Sequence, residues 1–173
     1  MVGAMARGIG IGIVVAVLAL VAAAVGLRLA MERPAEARLR PGEDVSIASL
    51  RGPIPSNAFL ACPPHYCPHA RAAASPVFAV DADRLYWRVV RLATRAPRVT
   101  IIADDPRRRR VVLIQRSALF RFPDIVIAEI VPLGSGRSSL ALYSRARYGR
   151  DDFGVNRRRV ERWLARLAAP AGP

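Results

Sequence analysis

The alternation of hydrophobic and polar positions divides the chain into an apolar N-terminal segment, an irregular stretch and a C-terminal region with regular periods. Between Arg7 and Arg28 the sequence GIGIGIVVAVLALVAAAVGL carries no charge over twenty residues. At about 1.5 Å per residue, a helix of this length spans the roughly 30 Å core of a bilayer. The pattern predicts that residues 1–30 form an N-terminal transmembrane helix.

A cleaved signal peptide is an alternative for this segment, because Ala22, Ala23 and Ala24 provide small residues after a shorter apolar run. The orientation of an uncleaved helix also has two interpretations. Positive charges after the span outnumber those before it, which favours a cytoplasmic C-terminal part. A short N-terminal tail before a folded domain is instead typical of a signal anchor, and long domains translocate largely regardless of charge. We expect the domain to lie outside.

Residues 31–56 show no period, since proline, glycine and charges of both signs interrupt every apolar run. Such a composition predicts a tether. Regular patterns begin after it, so we predict a single domain at 57–169. At 173 residues, the chain is long enough for one core of ordinary size and an appendage.

Two helices and four strands are predicted in this domain. Asp81 can cap the first helix, Pro97 ends it, and its apolar face consists of Leu85, Val89, Leu92 and Ala96. Four β-branched or alternating runs follow at 98–103, 110–116, 124–131 and 138–145. A last helix at 155–168 carries an apolar stripe that consists of Val160, Trp163, Leu164 and Leu167. This order predicts an α+β fold in which the two helices cover one face of a four-stranded antiparallel meander.

The charge of the chain changes this picture little. The formal net charge is +14, which would favour a nucleic acid or an anionic membrane as partner. All 27 basic residues are arginine, however, and a GC-rich genome imposes that bias on any surface. Aromatic residues do not interleave with the arginines as they do in surfaces that bind single strands. We therefore expect no nucleic-acid partner and favour the membrane, with an anionic lipid or an envelope protein as candidate contacts.

The two cysteines of the chain, Cys62 and Cys67, lie in a proline-rich loop. In an oxidising compartment they would form a disulfide, and in a reducing one they would stay as thiols. A third interpretation adds His65 and His69 as metal ligands, although four ligands within eight residues can hardly surround one ion tetrahedrally. No P-loop, HExxH or dinucleotide-binding motif occurs in the sequence. We expect no cofactor, and a noncatalytic protein is favoured over an enzyme.

A group of polar and glycine residues lies at the end of the last predicted strand and the start of the last helix: Ser144, Arg147, Gly149, Asp152, Gly154, Asn156 and Arg159. The two glycines can adopt positive φ, and Asp152 and Asn156 can bond backbone donors at the start of the last helix. One interpretation is a capped loop that an ion pair between arginine and aspartate holds in place. The other is a site for an anion or a lipid headgroup, because helix N-termini also bind anions.

These residues match in register the C-terminal run of the family known as domain of unknown function 1499, which resembles S-x-S-R-x-G-x-x-D-x-G-x-N-x-x-R. Ala146 replaces the second serine of that run. The resemblance extends upstream to the cysteine pair and to Ser117, Phe120, Phe122 and Asp124. It implies a single domain over about residues 57–167 of a small bacterial protein, and it implies no established activity.

We therefore predict a protein of the bacterial inner membrane, with its C-terminal domain in the periplasm. The function that these patterns favour is binding or scaffolding. Two alternatives stay open. One is a domain that binds a lipid or a small anion in a pocket between the sheet and the C-terminal helix, and the other is a metal-dependent or hydrolytic enzyme.

Overall fold

The computed structural model of the protein describes residues 2–67 and 72–169. It has an α+β fold with an N-terminal apolar helix and one mixed sheet of six strands. The helices are α1 (Val2–Met31), α2 (Ala82–Arg95) and α3 (Val155–Ala168), and short 3₁₀ turns lie at Pro34–Ala37 and Ile47–Ser49. The strands are β1 (Ala58–Cys62), β2 (Ala73–Ala74), β3 (Val99–Asp105), β4 (Arg110–Arg116), β5 (Pro123–Gly134) and β6 (Arg137–Ala146).

The strands are ordered β2-β1-β6-β5-β4-β3 across the sheet. Strands β3 to β6 form the antiparallel meander that the sequence predicts. The prediction of four strands is nevertheless wrong, because β1 pairs antiparallel with β6 and parallel with β2. The run AFLAC of β1 ends at a cysteine followed by prolines, and β2 has only two residues. Segments this short carry too little alternation for a strand to be recognised from the sequence.

One face of the sheet, which we call the helix face, carries α2 and α3 as predicted. The side chain of Asp81 caps α2 by accepting a hydrogen bond from the amide of Arg84. The apolar stripe of α3 packs against the strands, and Val160, Trp163 and Leu167 are each at most 3% exposed. Burial of these two amphipathic helices forms the larger of the two apolar cores.

The opposite face, which we call the second face, is covered too, whereas the predicted meander has cover on one face only. Residues 39–54 lie across it and bury apolar side chains against β4, β5 and β6. Ile47 is fully buried. The composition of residues 31–56 predicts a tether, but residues 39–54 of this stretch pack on the sheet. Isolated apolar residues between its prolines and glycines reach the core, although they follow no period.

The helix α1 contacts the domain only at its C-terminal end among the contacts described here. Its segment Gly12–Met31 is long and apolar enough to cross a membrane, and none of this segment is buried. The Nη1 of Arg28 lies 3.5 Å from the carbonyl oxygen of Leu119, and the Nε of Arg121 donates to Glu32 Oε1 at 2.7 Å. The loop between β4 and β5 therefore lies beside the end of α1.

Candidate functional site

The centre of the predicted C-terminal motif is Arg159, a residue of α3 that is 5% exposed. Its Nη1 donates to the hydroxyl of Ser144 on β6 at 2.9 Å and to Oδ1 of Asn156. Its Nε donates to Gln115 on β4 at 2.9 Å. Its Nη2 forms an ion pair with Asp124 on β5 at 2.5 Å. Arg159 therefore fastens α3 to three adjacent strands.

Asn156 extends these contacts to the start of β1. Its Oδ1 accepts from the hydroxyl of Ser144 at 2.5 Å, and its Nδ2 donates to the carbonyl of Asn57 at 3.0 Å. The side-chain amide of Asn57 donates in turn to the carbonyls of Gly149, at 2.6 Å, and Ala146, at 3.3 Å. The residue before β1 and the turn after β6 are thus held together with the first turn of α3.

Asp152 and two glycines shape the turn between β6 and α3. The carboxylate of Asp152 accepts from the amides of Gly154, at 3.0 Å, and Asn156, at 2.6 Å, so it satisfies donors that a helix start leaves free. Gly149 and Gly154 have φ of +85° and +74°, which glycine adopts without steric cost. A carboxylate of the chain therefore occupies the helix N-terminus at which an anion would bind.

We define the clasp as the side chains of Asn57, Gln115, Asp124, Ser144, Asn156 and Arg159. All of these residues except Gln115 are buried, and Gln115 is half-buried. Burial raises the pKa of the Asp124 carboxyl, and the positive charge of Arg159 opposes that rise. Because the donors and acceptors of the clasp bind one another, it closes α3 onto the sheet and turns no reactive group towards solvent.

Arg147 belongs to the same sequence motif but makes different contacts. Its side chain is 1% exposed and holds both carboxylate oxygens of Glu43, from Nε at 2.8 Å and from Nη2 at 2.6 Å. Its Nη1 donates to a carboxylate oxygen of Glu36 at 3.2 Å. Burial would raise the pKa of Glu43, but hydrogen bonds from Arg147 and from the amide of Arg40 outweigh it and lower that pKa. Arg147 therefore fastens the segment 36–43 to the end of β6.

The upstream motif is divided between two places. Asp124 belongs to the clasp, whereas Ser117 closes the loop at 117–122. The hydroxyl of Ser117 accepts from the amide of Phe122 at 3.0 Å, and its own amide donates to the Phe122 carbonyl at 2.9 Å. The ring of Phe120 lies 6.0 Å from that of Phe122, which lies 6.2 Å from that of Tyr148. Ser117 and Phe120 thus shape the loop beside α1 and do not contact the clasp.

Cys62 and Cys67 form a disulfide, with their Cα atoms 6.2 Å apart. The small ring that they close holds Tyr66 over the second face. The hydroxyl of Tyr66 donates to Glu129 at 3.0 Å, and burial together with the charge of Glu129 raises the pKa of Tyr66 to about 12. The disulfide loop therefore lies on the same face as residues 39–54.

Three of the four side chains considered as metal ligands lie within the described residues. Both cysteines are in the disulfide, His65 is exposed, and His69 lies outside the described residues. Within residues 2–67 and 72–169, no three His, Cys, Asp or Glu side chains are arranged to hold a metal ion.

Several polar residues of the site were missed by the sequence analysis. The sequence does distinguish Glu129, since it is the one charge inside the strand run IVIAEIV. It is 5% exposed and accepts from the amide of Ile47, from Tyr66 and from Arg110. No local pattern distinguishes Asn57 and Gln115, because their partners in the clasp are distant in sequence. Only the folded sheet brings these residues together.

Comparison with known families places the clasp inside a recognised domain. Residues 56–167 match the family described as "Protein of unknown function (DUF1499)". The matched range contains every member of the clasp together with Arg147, and it excludes α1 and the residues 39–54 that cover the second face. Comparison with curated proteins found no match.

Two solved structures are similar to parts of this chain. The crystal structure of the di-domain ARO/CYC BexL from the BE-7585A biosynthetic pathway is 17% identical, with a TM-score of 0.41, over 54% of this chain and 43% of that chain. A solution NMR structure from Thermobifida fusca is 11% identical, with a TM-score of 0.38, over 65% of this chain and 85% of that chain. The chain thus spans less than half the length of BexL.

Proposed function

We propose that this chain, which belongs to the DUF1499 family, is a noncatalytic binding module of the bacterial cell envelope. In this proposal α1 anchors the protein in the inner membrane, and the domain lies on the periplasmic side. The length and the exposed apolar surface of α1 support the anchor. The family description names no activity, so the proposal relies on the contacts of the described residues.

The observation that carries this proposal is the burial of Ser144, Asn156 and Arg159, the residues that the C-terminal motif contributes to the clasp. Ser144 and Asn156 are fully enclosed, and Arg159 is 5% exposed. A catalytic group has to come within hydrogen-bonding distance of a substrate. These side chains instead bind one another and the strands, which is what a structural role requires.

The alternative of a ligand pocket between the sheet and α3 has less support from the packing. Val160, Trp163 and Leu167 are at most 3% exposed and fill the space against the strands. A ligand there would have to displace a close-packed core. We therefore assign binding to the exposed surface of the turn between β6 and α3.

Phe153 marks one such surface, next to the clasp. Its side chain is 87% exposed, and its φ of 51° lies in the left-handed region that a bulky residue seldom adopts. Asp151 stabilises this conformation by accepting from the Phe153 amide at 2.6 Å. Backbone strain at an exposed aromatic residue is typical of contact sites, so it supports binding through this turn.

A complementation experiment tests whether the motif has a chemical role. Ser144→Ala and Ser139→Ala both remove a fully buried hydroxyl from β6, but Ser139 lies outside the motif and donates to the carbonyl of Pro76. In cells where loss of the protein has a measurable phenotype, we expect each variant to lose function only as far as it loses folded protein. Loss of function in Ser144→Ala at an unchanged melting temperature and protein level would contradict the proposal.

The membrane anchor is tested separately. We expect the full chain to stay in the membrane fraction after alkaline carbonate extraction and to become extractable when residues 2–31 are removed. Extraction of the full chain by carbonate would contradict the anchoring part of the proposal.

A further inference from the structure

Arg116, the last residue of β4, is a buried cation without a counter-ion among the described residues. The residue is 9% exposed, and its Nη1 is buried with no hydrogen-bond partner in this part of the chain. None of the ion pairs that the described carboxylates form includes Arg116. Its side chain points to the second face, because Val112 and Ile114, at two-residue intervals before it, pack there.

An isolated buried charge is costly, so this arrangement requires a partner. Burial and the charges of Arg121 and Arg147 lower the pKa of Arg116. An arginine nevertheless stays protonated in proteins, and it cannot avoid the cost by releasing its proton. Arg116 therefore retains a positive charge and an unused donor beside two further cations.

Two acidic residues, Glu32 and Glu36, lie near enough for their charges to raise the pKa of Arg116, but both are bound to other arginines. The carboxylate of Glu32 accepts from Arg121 at 2.7 Å. Glu36 lies 3.2 Å from Nη1 of Arg147 and accepts from the hydroxyl of Tyr148 at 2.9 Å. The anion that would neutralise Arg116 is thus expected to come from outside the described chain.

The position of Arg116 indicates where that anion comes from. The loop 117–122 follows it directly and contacts the end of α1 through Arg28 and Glu32. In this loop Leu119 is 66% exposed, and Phe120 is only partly buried. When α1 spans a bilayer, its last turn lies at the depth of the headgroups, where aromatic residues and arginines are commonly found. The loop that directly follows Arg116 is then beside lipid phosphates.

We propose that Arg116 binds the phosphate group of an anionic phospholipid headgroup, with Arg121 as the second cation and Leu119 in the apolar edge of the bilayer. A guanidinium can donate two parallel hydrogen bonds to a phosphate. The clustered arginines favour a headgroup with a net negative charge over a zwitterionic one. This inference rests on the proposed function, because the lipid reaches Arg116 only when α1 anchors the chain.

The test uses the full chain in micelles of a phosphate-free maltoside detergent. Phosphatidylglycerol, phosphatidylcholine or inorganic phosphate is added in turn while the melting temperature is followed. We expect phosphatidylglycerol to raise the melting temperature of the wild type. We expect Arg116→Gln to weaken the apparent lipid affinity about tenfold or more, because it removes charge-assisted hydrogen bonds. Arg107→Gln, at the exposed turn before β4, is the matched control and should keep the response.

The outcomes separate the sources of the anion. An equal rise with inorganic phosphate at millimolar concentration would support the phosphate site and overturn the lipid as its ligand. An equal response of wild type and Arg116→Gln to phosphatidylglycerol would overturn the site. A lower melting temperature of Arg116→Gln in lipid-free micelles would also overturn it, since Arg116 would then have a partner within the chain. Failure of the carbonate test contradicts the anchor and therefore the delivery of the lipid in the cell, whereas the micelle titration tests the site at Arg116 by itself.

Discussion

The two faces of the sheet contain two buried arginines in contrasting surroundings. On the helix face, Arg159 is bound to Asp124, Ser144 and two side-chain amides. On the second face, Arg116 is buried almost as deeply but lacks a partner in the described chain. Both lie at the same end of the sheet, because Arg159 contacts Gln115, the neighbour of Arg116 on β4. The partners of a buried charge, and not its burial alone, therefore indicate whether it closes the fold or binds a ligand.

Removal of the counter-ion on the helix face is expected to have the largest effect. Asp124→Ala leaves the guanidinium of Arg159 buried without a carboxylate, which costs about 3–5 kcal/mol of unfolding free energy. Chemical denaturation of the full chain in detergent measures this loss. Asp83→Ala is the control, because its pair with Arg109 is exposed and screened by water, so its loss should change the stability much less. Equal decreases in the free energy of unfolding of the two variants would show that the buried pair of Asp124 and Arg159 stabilises the fold no more than an exposed ion pair.

On the second face, Arg147→Ala should cost about 2–3 kcal/mol, since it removes charge-assisted hydrogen bonds to Glu43 and Glu36. The expected cost is smaller than for Asp124→Ala, because the side chains of Glu36 and Glu43 are each 13% exposed and can turn to water once Arg147 is removed. Hydrogen exchange should become faster in residues 36–54 and stay slow in α3. An equal acceleration in α3 would show that the two faces are not fastened independently.

Loss of the disulfide is expected to lower the free energy of unfolding by roughly 2 kcal/mol, because a disulfide that closes so small a loop restricts the unfolded chain by about this amount. Cys67→Ser should therefore melt at a lower temperature and should not respond to reductant. The wild type should fall to the same melting temperature when dithiothreitol is added. A wild type that reductant leaves unchanged would contradict this prediction.

Acid should weaken the attachment of residues 36–43 by a smaller amount. Hydrogen bonds from Arg147 lower the pKa of Glu43 below its usual value of 4.5, although burial acts in the opposite direction. The folded state therefore binds protons less readily than the unfolded chain, so this stabilisation is present above about pH 4.5 and is lost as the pH falls through the lowered pKa. The difference in melting temperature between the wild type and Arg147→Met should shrink over that range. A constant difference down to pH 3 would contradict the assignment.

Much of the helix face could be predicted from the sequence, because its elements are continuous and periodic. The predicted helix 155–168 agrees with α3, and the run 110–116 agrees with β4. The partners of Arg159 could not be predicted, since Asn156 and Asn57, whose contact completes the clasp, are 99 residues apart. A contact at such a distance is set by the sheet topology, which no local pattern contains.

The second face was missed for a different reason. Ile47 and Leu50 lie between prolines and glycines in a stretch without any period, yet both pack on the sheet. Arg116 did carry a usable signal, since it occupies the register position after Val112 and Ile114 on an apolar strand face. A charge at a core position of a strand breaks the apolar pattern and indicates a functional or structural constraint.

The contrast between the two arginines is measured by the melting temperatures of Arg159→Met and Arg116→Met, taken side by side in lipid-free, phosphate-free maltoside micelles. Methionine removes the charge in both variants and keeps much of the side-chain volume. We expect Arg159→Met to lower the melting temperature by about 10 °C or more. We expect Arg116→Met to leave the melting temperature unchanged or to raise it, because it removes an unpaired buried charge. Equal decreases in the two variants would contradict the claim that one arginine closes the fold while the other awaits an anion.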